Sequence, residues 1–259
     1  MKCVKSTLKT FQAYTGDIQL NKISSQLVEK FLSSVKSKHR TRTHYINLKS
    51  AFNKAILWNY IFENPLQKIK IQKVPTNNPL FLTENEIEMI IQNEPNDNLK
   101  ANYLFAFHTG MRLGEIINLK WNQISFQERI IRVHNTDEFT TKGKKERIIP
   151  INEKLYPVLL RLVPKIINLN DYVFKKNALK YNVYYISKSF KKAVRETNSI
   201  NPKIHYHSLR HSFASNLVKK GVPITDIKEL LGHADISTSL IYSHITVDSL
   251  RDAVKVLEG

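Results

Sequence analysis

The chain has 259 residues, 42% of them hydrophobic, and carries a formal net charge of +18 from 40 Lys and Arg against 22 Asp and Glu. That length supports one large domain or two smaller ones, and the charge favours polyanionic partners, since each neutralised phosphate releases condensed counterions. The single cysteine, Cys3, excludes an intrachain disulfide, and no apolar run reaches the ~20 residues of a membrane span, so a cytoplasmic protein making no membrane contact is expected.

The charge is uneven. Residues 1–75 hold 14 Lys or Arg and only 3 Asp or Glu, which suggests a basic, DNA-gripping module joined to a milder working one. Residues 1–10 hardly provide a helix ahead of Phe11. Ser24 can cap a helix whose Leu27, Val28, Phe31, Leu32 and Val35 form one apolar stripe. A polar, basic gap (36–42) follows. A second helix then places Tyr45, Leu48, Phe52 and Ile56 on one face and closes at Asn64-Pro65. The stretch QKVPTNNPL (72–80) has two prolines, two asparagines and no periodicity, so a linker is expected over 73–80, between a domain at 1–72 and another at 81–259.

The second domain opens with a capping box, Thr83 to Glu86, before a helix ending near Asn93. Gly110 can end a further helix in left-handed conformation, with Arg112 at the start of the next. Period then changes: β-branched runs at 124–133 and 147–151, split by the basic turn Thr141-Lys142-Gly143-Lys144, predict a small antiparallel sheet. Helical patterning resumes at about 155–163, 183–197, 208–219, 224–231, 236–241 and 247–257. The expectation is a mainly α protein: a helical N-terminal domain plus an α-rich domain with one minor sheet.

Three short segments could carry chemistry. In His207-Ser208-Leu209-Arg210 an imidazole and a guanidinium stand three apart on a predicted helix, so both leave one face. Arg can bond two phosphate oxygens at once, and His exchanges a proton near neutrality; an ordinary amphipathic helix would show the same short pattern. His207 and His211 have zinc-ligand spacing, but Ser208 stands where a zincin needs Glu and no further ligands lie nearby, so no metal site is expected. In Thr109-Gly110-Met111-Arg112-Leu113-Gly114-Glu115 the turn can aim Arg112 into a cleft with Glu115 beside it, though a surface arginine in a helix–helix turn reads equally. In the third, Gly232 ends a helix, His233 follows in the turn, and Tyr242 comes nine residues later; most tyrosines are packing residues.

In combination these segments are specific. TGMRLGEI, HSLRHSFA and LLGHADISTSLIYSHI, in that order, closely resemble the signature boxes of the tyrosine recombinase (phage integrase, Xer-like) family, and TTKGKKERIIP resembles its β-hairpin lysine segment. The resemblance covers the chain from about residue 80 onward. It implies that Tyr242 is the nucleophile, forming a 3′-phosphotyrosyl link and freeing a 5′-hydroxyl. Arg112 and Arg210 would hold the nonbridging oxygens, Lys142 would protonate the leaving oxygen, and His207 would help deprotonate the tyrosine. His233 would bond the phosphate, and Glu115 would steady Arg112 and His207. The basic N-terminal helices resemble, more loosely, the family's core-binding domain, with Lys36, Lys38, Arg40, Arg42 and Lys49 as its expected DNA contacts. No arm-type domain is expected before it. The partner implied is double-stranded DNA carrying specific recombination sites, engaged by a homotetramer on two paired sites, with room for an accessory directionality factor. No cofactor, metal or ATP is required, because the covalent step conserves the phosphodiester bond energy.

Three rivals make different demands. A non-catalytic DNA-binding regulator could use the helix at 223–231, yet would not need the six-residue set in family order. A type IB topoisomerase shares the tyrosine chemistry but relaxes supercoils as a monomer. A metal-dependent nuclease lacks its carboxylate cluster.

Overall fold

The computed structural model describes residues 2–72, 78–135, 139–140, 146–176 and 179–245. The chain divides into two compact units, Met1–Asn77 and Asn78–Gly259. Most of the expected linker, residues 73–77, lies outside the described residues, as do the basic turn 141–144 and the helix expected at 247–257.

Among its described residues the first unit has three α-helices and a 3₁₀ turn at Leu20–Lys22. α1 (Lys2–Thr15) is present where the sequence hardly promised a helix. Its signal is faint because, besides Phe11, the residue it buries is the polar Thr7. The Thr7 hydroxyl is satisfied internally, accepting from Asn47 Nδ2 at 2.9 Å and lying 3.1 Å from His44 Nδ1. α2 (Ser25–Ser34) starts as expected, with the Ser24 hydroxyl accepting from the Leu27 N–H. The expected gap is largely helix instead. α3 (Lys38–Leu57) begins at once, because Ser37 supplies a cap and the following Lys and Arg are good helix formers. It ends at Leu57, short of Asn64-Pro65, and Asn59 there adopts φ 59. Phe11, Val28, Phe31, Leu32, Leu48, Phe52, Leu66 and Ile69 form the core.

The second unit holds the larger core. Thr83 and Glu86 close the expected capping box at α4 (Glu84–Gln92). α5 (Asp97–Thr109) is buried along most of its length, with Tyr103 and Phe105 inaccessible, and ends at Gly110 in the left-handed region (φ 62). A Cβ at Gly110 would stand 2.5 Å from the Phe213 ring and 2.9 Å from Leu231. This glycine therefore serves both the turn and a close packing approach. α6 (Leu113–Ile117) follows directly.

The sheet pairs β1 (Ile124–Ser125) with β2 (Ile130–Val133) and β2 with β3 (Arg147–Pro150), all antiparallel, with Ile131 opposite Ile149 and Val133 opposite Arg147. Next come α7 (Tyr156–Leu162), a two-stranded ribbon of β4 (Lys175–Lys176) and β5 (Leu179–Lys180), and α8 (Val183–Glu196). α9 (Ser208–Lys219) packs on α5, and α10 (Ile224–Leu231) ends at Gly232 with φ 65. The helix expected at 236–241 is two short 3₁₀ segments, Ile236–Thr238 and Leu240–Ile245. The mainly α architecture with small antiparallel sheets matches the expectation. Among the described residues no helix is long and apolar enough to cross a membrane.

Candidate active site

Arg112 sits at the N-terminus of α6 because the left-handed Gly110 reverses the chain two residues earlier. Glu115 reaches back one turn. Its carboxylate accepts from the Arg112 backbone N–H at 2.9 Å and from Arg112 Nη1 at 3.0 Å. The same carboxylate accepts from Arg147 Nη2 at 2.6 Å. Burial alone would push the Glu115 carboxyl up, but the bonds and charge of Arg147 and Arg112 outweigh it and hold it below its ordinary value.

Arg147, on β3, also donates from Nε to the Leu230 carbonyl at 2.8 Å. Arg210, on α9, donates to the Gly110 carbonyl at 2.8 Å and to the Leu231 carbonyl at 2.7 Å. Two arginines from different elements thus grip successive carbonyls at the C-terminal end of α10, where the helix leaves acceptors unpaired. Arg210 is buried; desolvation, with Arg112 and Arg147 close by, pulls its guanidinium down to about 9, so it remains charged at neutral pH. This is a strongly electropositive cluster, partly balanced by one carboxylate.

His233 follows the left-handed Gly232 and is buried, its Nδ1 2.8 Å from the Ser239 hydroxyl. Burial, then Arg210, Arg112 and Arg147, lower it to about 4. Tyr242 is 1% exposed, in an apolar nest of Ala214, Val218, Ile227 and Leu231. Desolvation pushes its phenol up to about 12 against the opposing pull of Arg210. Its hydroxyl is hydrogen-bonded to His211 Nδ1 at 2.8 Å. His207 is exposed at the start of α9, and its ring meets that of His211 edge-on with centroids 4.9 Å apart.

The structure therefore gathers Arg112, Glu115, Arg210, His233 and Tyr242 in one neighbourhood, with His207 at its exposed edge. Lys142 lies outside the described residues. In the first unit Lys36, Lys38, Arg40 and Arg42 are exposed, while Lys49 is half-buried with its ammonium 3.4 Å from the Tyr45 hydroxyl. Two participants were missed from sequence. Arg147 meets Glu115 across 32 positions, and no local pattern announces such a pair. His211 was visible only through its zinc-like spacing from His207. Among the described residues, no three His, Cys, Asp or Glu side chains converge as a metal site.

A family model described as the phage integrase family matches residues 80–248, well over half of the sequence. The chain belongs to the phage integrase family. A tyrosine recombinase of Thermosipho africanus is 33% identical over 99% of this chain and 92% of its own length. The tyrosine recombinase XerA of Pyrococcus furiosus is 31% identical over 73% of this chain and 65% of its own. Among solved structures, the integrase of the Tn1549 transposon in complex with a circular-intermediate DNA superposes with a TM-score of 0.79. It is 21% identical, across 98% of this chain and 92% of that one. At that identity the likeness speaks for the family's fold.

Proposed function

We propose that this chain is a site-specific DNA recombinase that cuts and rejoins duplex DNA through Tyr242. The observation that carries the reading is the cluster in which Arg210 lies within electrostatic reach of Arg112 and His233 on one side and of Tyr242 on the other. Phosphoryl transfer is largely positioning plus stabilisation of charge growing on the phosphate, and this cluster offers guanidinium and imidazole groups for that task. Tyr242 attacks the phosphorus, Arg112 and Arg210 hold the nonbridging oxygens, and His233 bonds the phosphate. Lys142 protonates the leaving 5′-oxygen, and His207 helps remove the tyrosine proton. Glu115, shared with Arg147, fixes the orientation of Arg112. Because the 3′-phosphotyrosyl link retains the phosphodiester energy, a second 5′-hydroxyl reseals the strand without a nucleotide cofactor.

In the same reading, residues 1–72 are the core-binding domain, with Lys36, Lys38, Arg40, Arg42 and Lys49 on the DNA backbone, and 81–259 the catalytic domain. The protein acts in the cytoplasm as a homotetramer on two paired sites, with a directionality factor as an optional partner. The test is covalent trapping. Duplexes from the DNA flanking the gene, nicked near the expected cleavage point, are incubated with protein in EDTA and run on a denaturing gel. A shifted band with the wild type, absent with Tyr242→Phe while DNA affinity persists, is the expected result. A band that survives in Tyr242→Phe removes the nucleophile assignment.

A further inference from the structure

We infer that His211 is a catalytic residue of this chain: the base that takes the Tyr242 proton directly and passes it to His207. The inference deepens the proposed function and rests on Tyr242 being the nucleophile. Three observations carry it. The tyrosine oxygen, the atom that must lose its proton, is 2.8 Å from His211 Nδ1, within the reach required of a general base. The His211 ring also meets that of exposed His207 edge-on, with centroids 4.9 Å apart, so a second imidazole stands beside the base on the way outward. His211 also follows Arg210 directly on α9, so one rigid element sets the base and the phosphate-holding arginine in register.

The two groups that His211 adjoins are both buried. Arg210 is 3% exposed and Tyr242 1% exposed, and each feels the other's charge. The groups that face His211 are His205, His207 and Arg210 from its own stretch, with Tyr242 and His233 from the elements packed against it. Desolvation, then the neighbouring histidines and Arg210, lower the imidazole to about 4, so it is neutral, though a weak base, before DNA binds. A bound phosphate offsets that cationic repulsion and raises its basicity as the reaction begins. In the step itself the Tyr242 O–H proton moves to His211 Nδ1 while the tyrosine oxygen bonds to phosphorus. The P–O5′ bond breaks, and the departing oxygen takes its proton from Lys142. Resealing runs the same transfers backward.

The test compares wild type, His211→Asn and Tyr242→Phe in single-turnover adduct formation between pH 6 and 9. The probe is the nicked flanking duplex that gives the wild-type adduct, made also with a 5′-bridging sulfur at the scissile link. Asparagine keeps a polar atom near the Nδ1 position but cannot take up a proton; His211→Gln serves if Asn fails to fold. We expect His211→Asn to bind DNA normally and to cleave roughly 10²–10⁴-fold more slowly. It should stay slow on the sulfur link, whose leaving group needs no proton, and its rate should climb more steeply with pH than wild type as hydroxide replaces the missing base. Wild-type rates and pH profile in His211→Asn overturn the inference, as does faster cleavage or rescue by the sulfur link. The Tyr242 assignment survives each of these results as long as Tyr242→Phe forms no adduct; an adduct in Tyr242→Phe overturns that assignment instead.

Discussion

Glu115 is buried and shared by two arginines, so its charge is tolerable only while both remain. Replacing Arg147 with Met leaves the carboxylate half-compensated and the Leu230 carbonyl without its donor. A loss of about 3–5 kcal/mol is expected, measurable by urea denaturation. Arg147→Lys should fall between, since an ammonium cannot span carboxylate and carbonyl in the same planar fork. Three buried or half-buried histidines set the acid limit. His108, His211 and His233 are each lowered from 6.5 to about 4, chiefly by burial. Between those values the unfolded chain binds protons that the folded one refuses, so stability rises with pH there. Their contribution is complete above about 6.5 and is lost as pH falls toward 4, whereas Glu115, depressed below 4.5, keeps its own contribution until lower pH. Melting temperature followed from pH 7.5 to 4.5 should therefore decline, with a shallower slope in His211→Asn.

At the level of elements, what could be read from sequence was what is decided locally. The Thr83–Glu86 box, the Ser24 cap and the left-handed glycines after α5 and α10 depend on residues within one turn of each other, and they lie where their chemistry put them. The order of the family boxes depends on the same local features. α1 was not legible, because Thr7 is buried through bonds to residues about 40 positions away. The parts of Arg147 and His211 were hidden for the same reason: their partners Glu115 and Tyr242 come from other elements. The start of α3 was obscured by its own charge, since exposed Lys and Arg look alike in a loop and in a solvated first turn. Glycine substitutions separate turn from packing. Gly110→Ala forces a left-handed alanine against the Phe213 ring, while Gly221→Ala, at φ +78, meets open space. The second should lose roughly 1–2 kcal/mol and the first distinctly more in paired denaturation curves.

For the whole molecule the net charge of +18 is a statement about association. The first unit's Lys36, Lys38, Arg40 and Arg42 stand in solvent, available to phosphates, while Lys49 is drawn to Tyr45. Replacing those four with Gln should weaken DNA binding at every sequence tested. The slope of log affinity against log salt should shrink by about 0.9 for each phosphate contact removed. Lys49→Gln should change that slope least. At saturating DNA the rate of adduct formation should stay near wild type, since these residues belong to the other compact unit from Tyr242.

The two arginines that close on α10 bind main-chain oxygens, and every amino acid supplies one. Position 230 can therefore drift among side chains without disturbing what Arg147 grips, whereas positions 147 and 210 have no substitutes. A saturation library scored for recombination should record this as a sharp asymmetry. Leu230, half-buried, should accept a wide range of residues. Its long-range partner in the same hydrogen bond should accept almost none. Descendants of this sequence would thus keep the arginines and let the helix end vary, so that an apparently unconstrained site marks one half of a fixed contact.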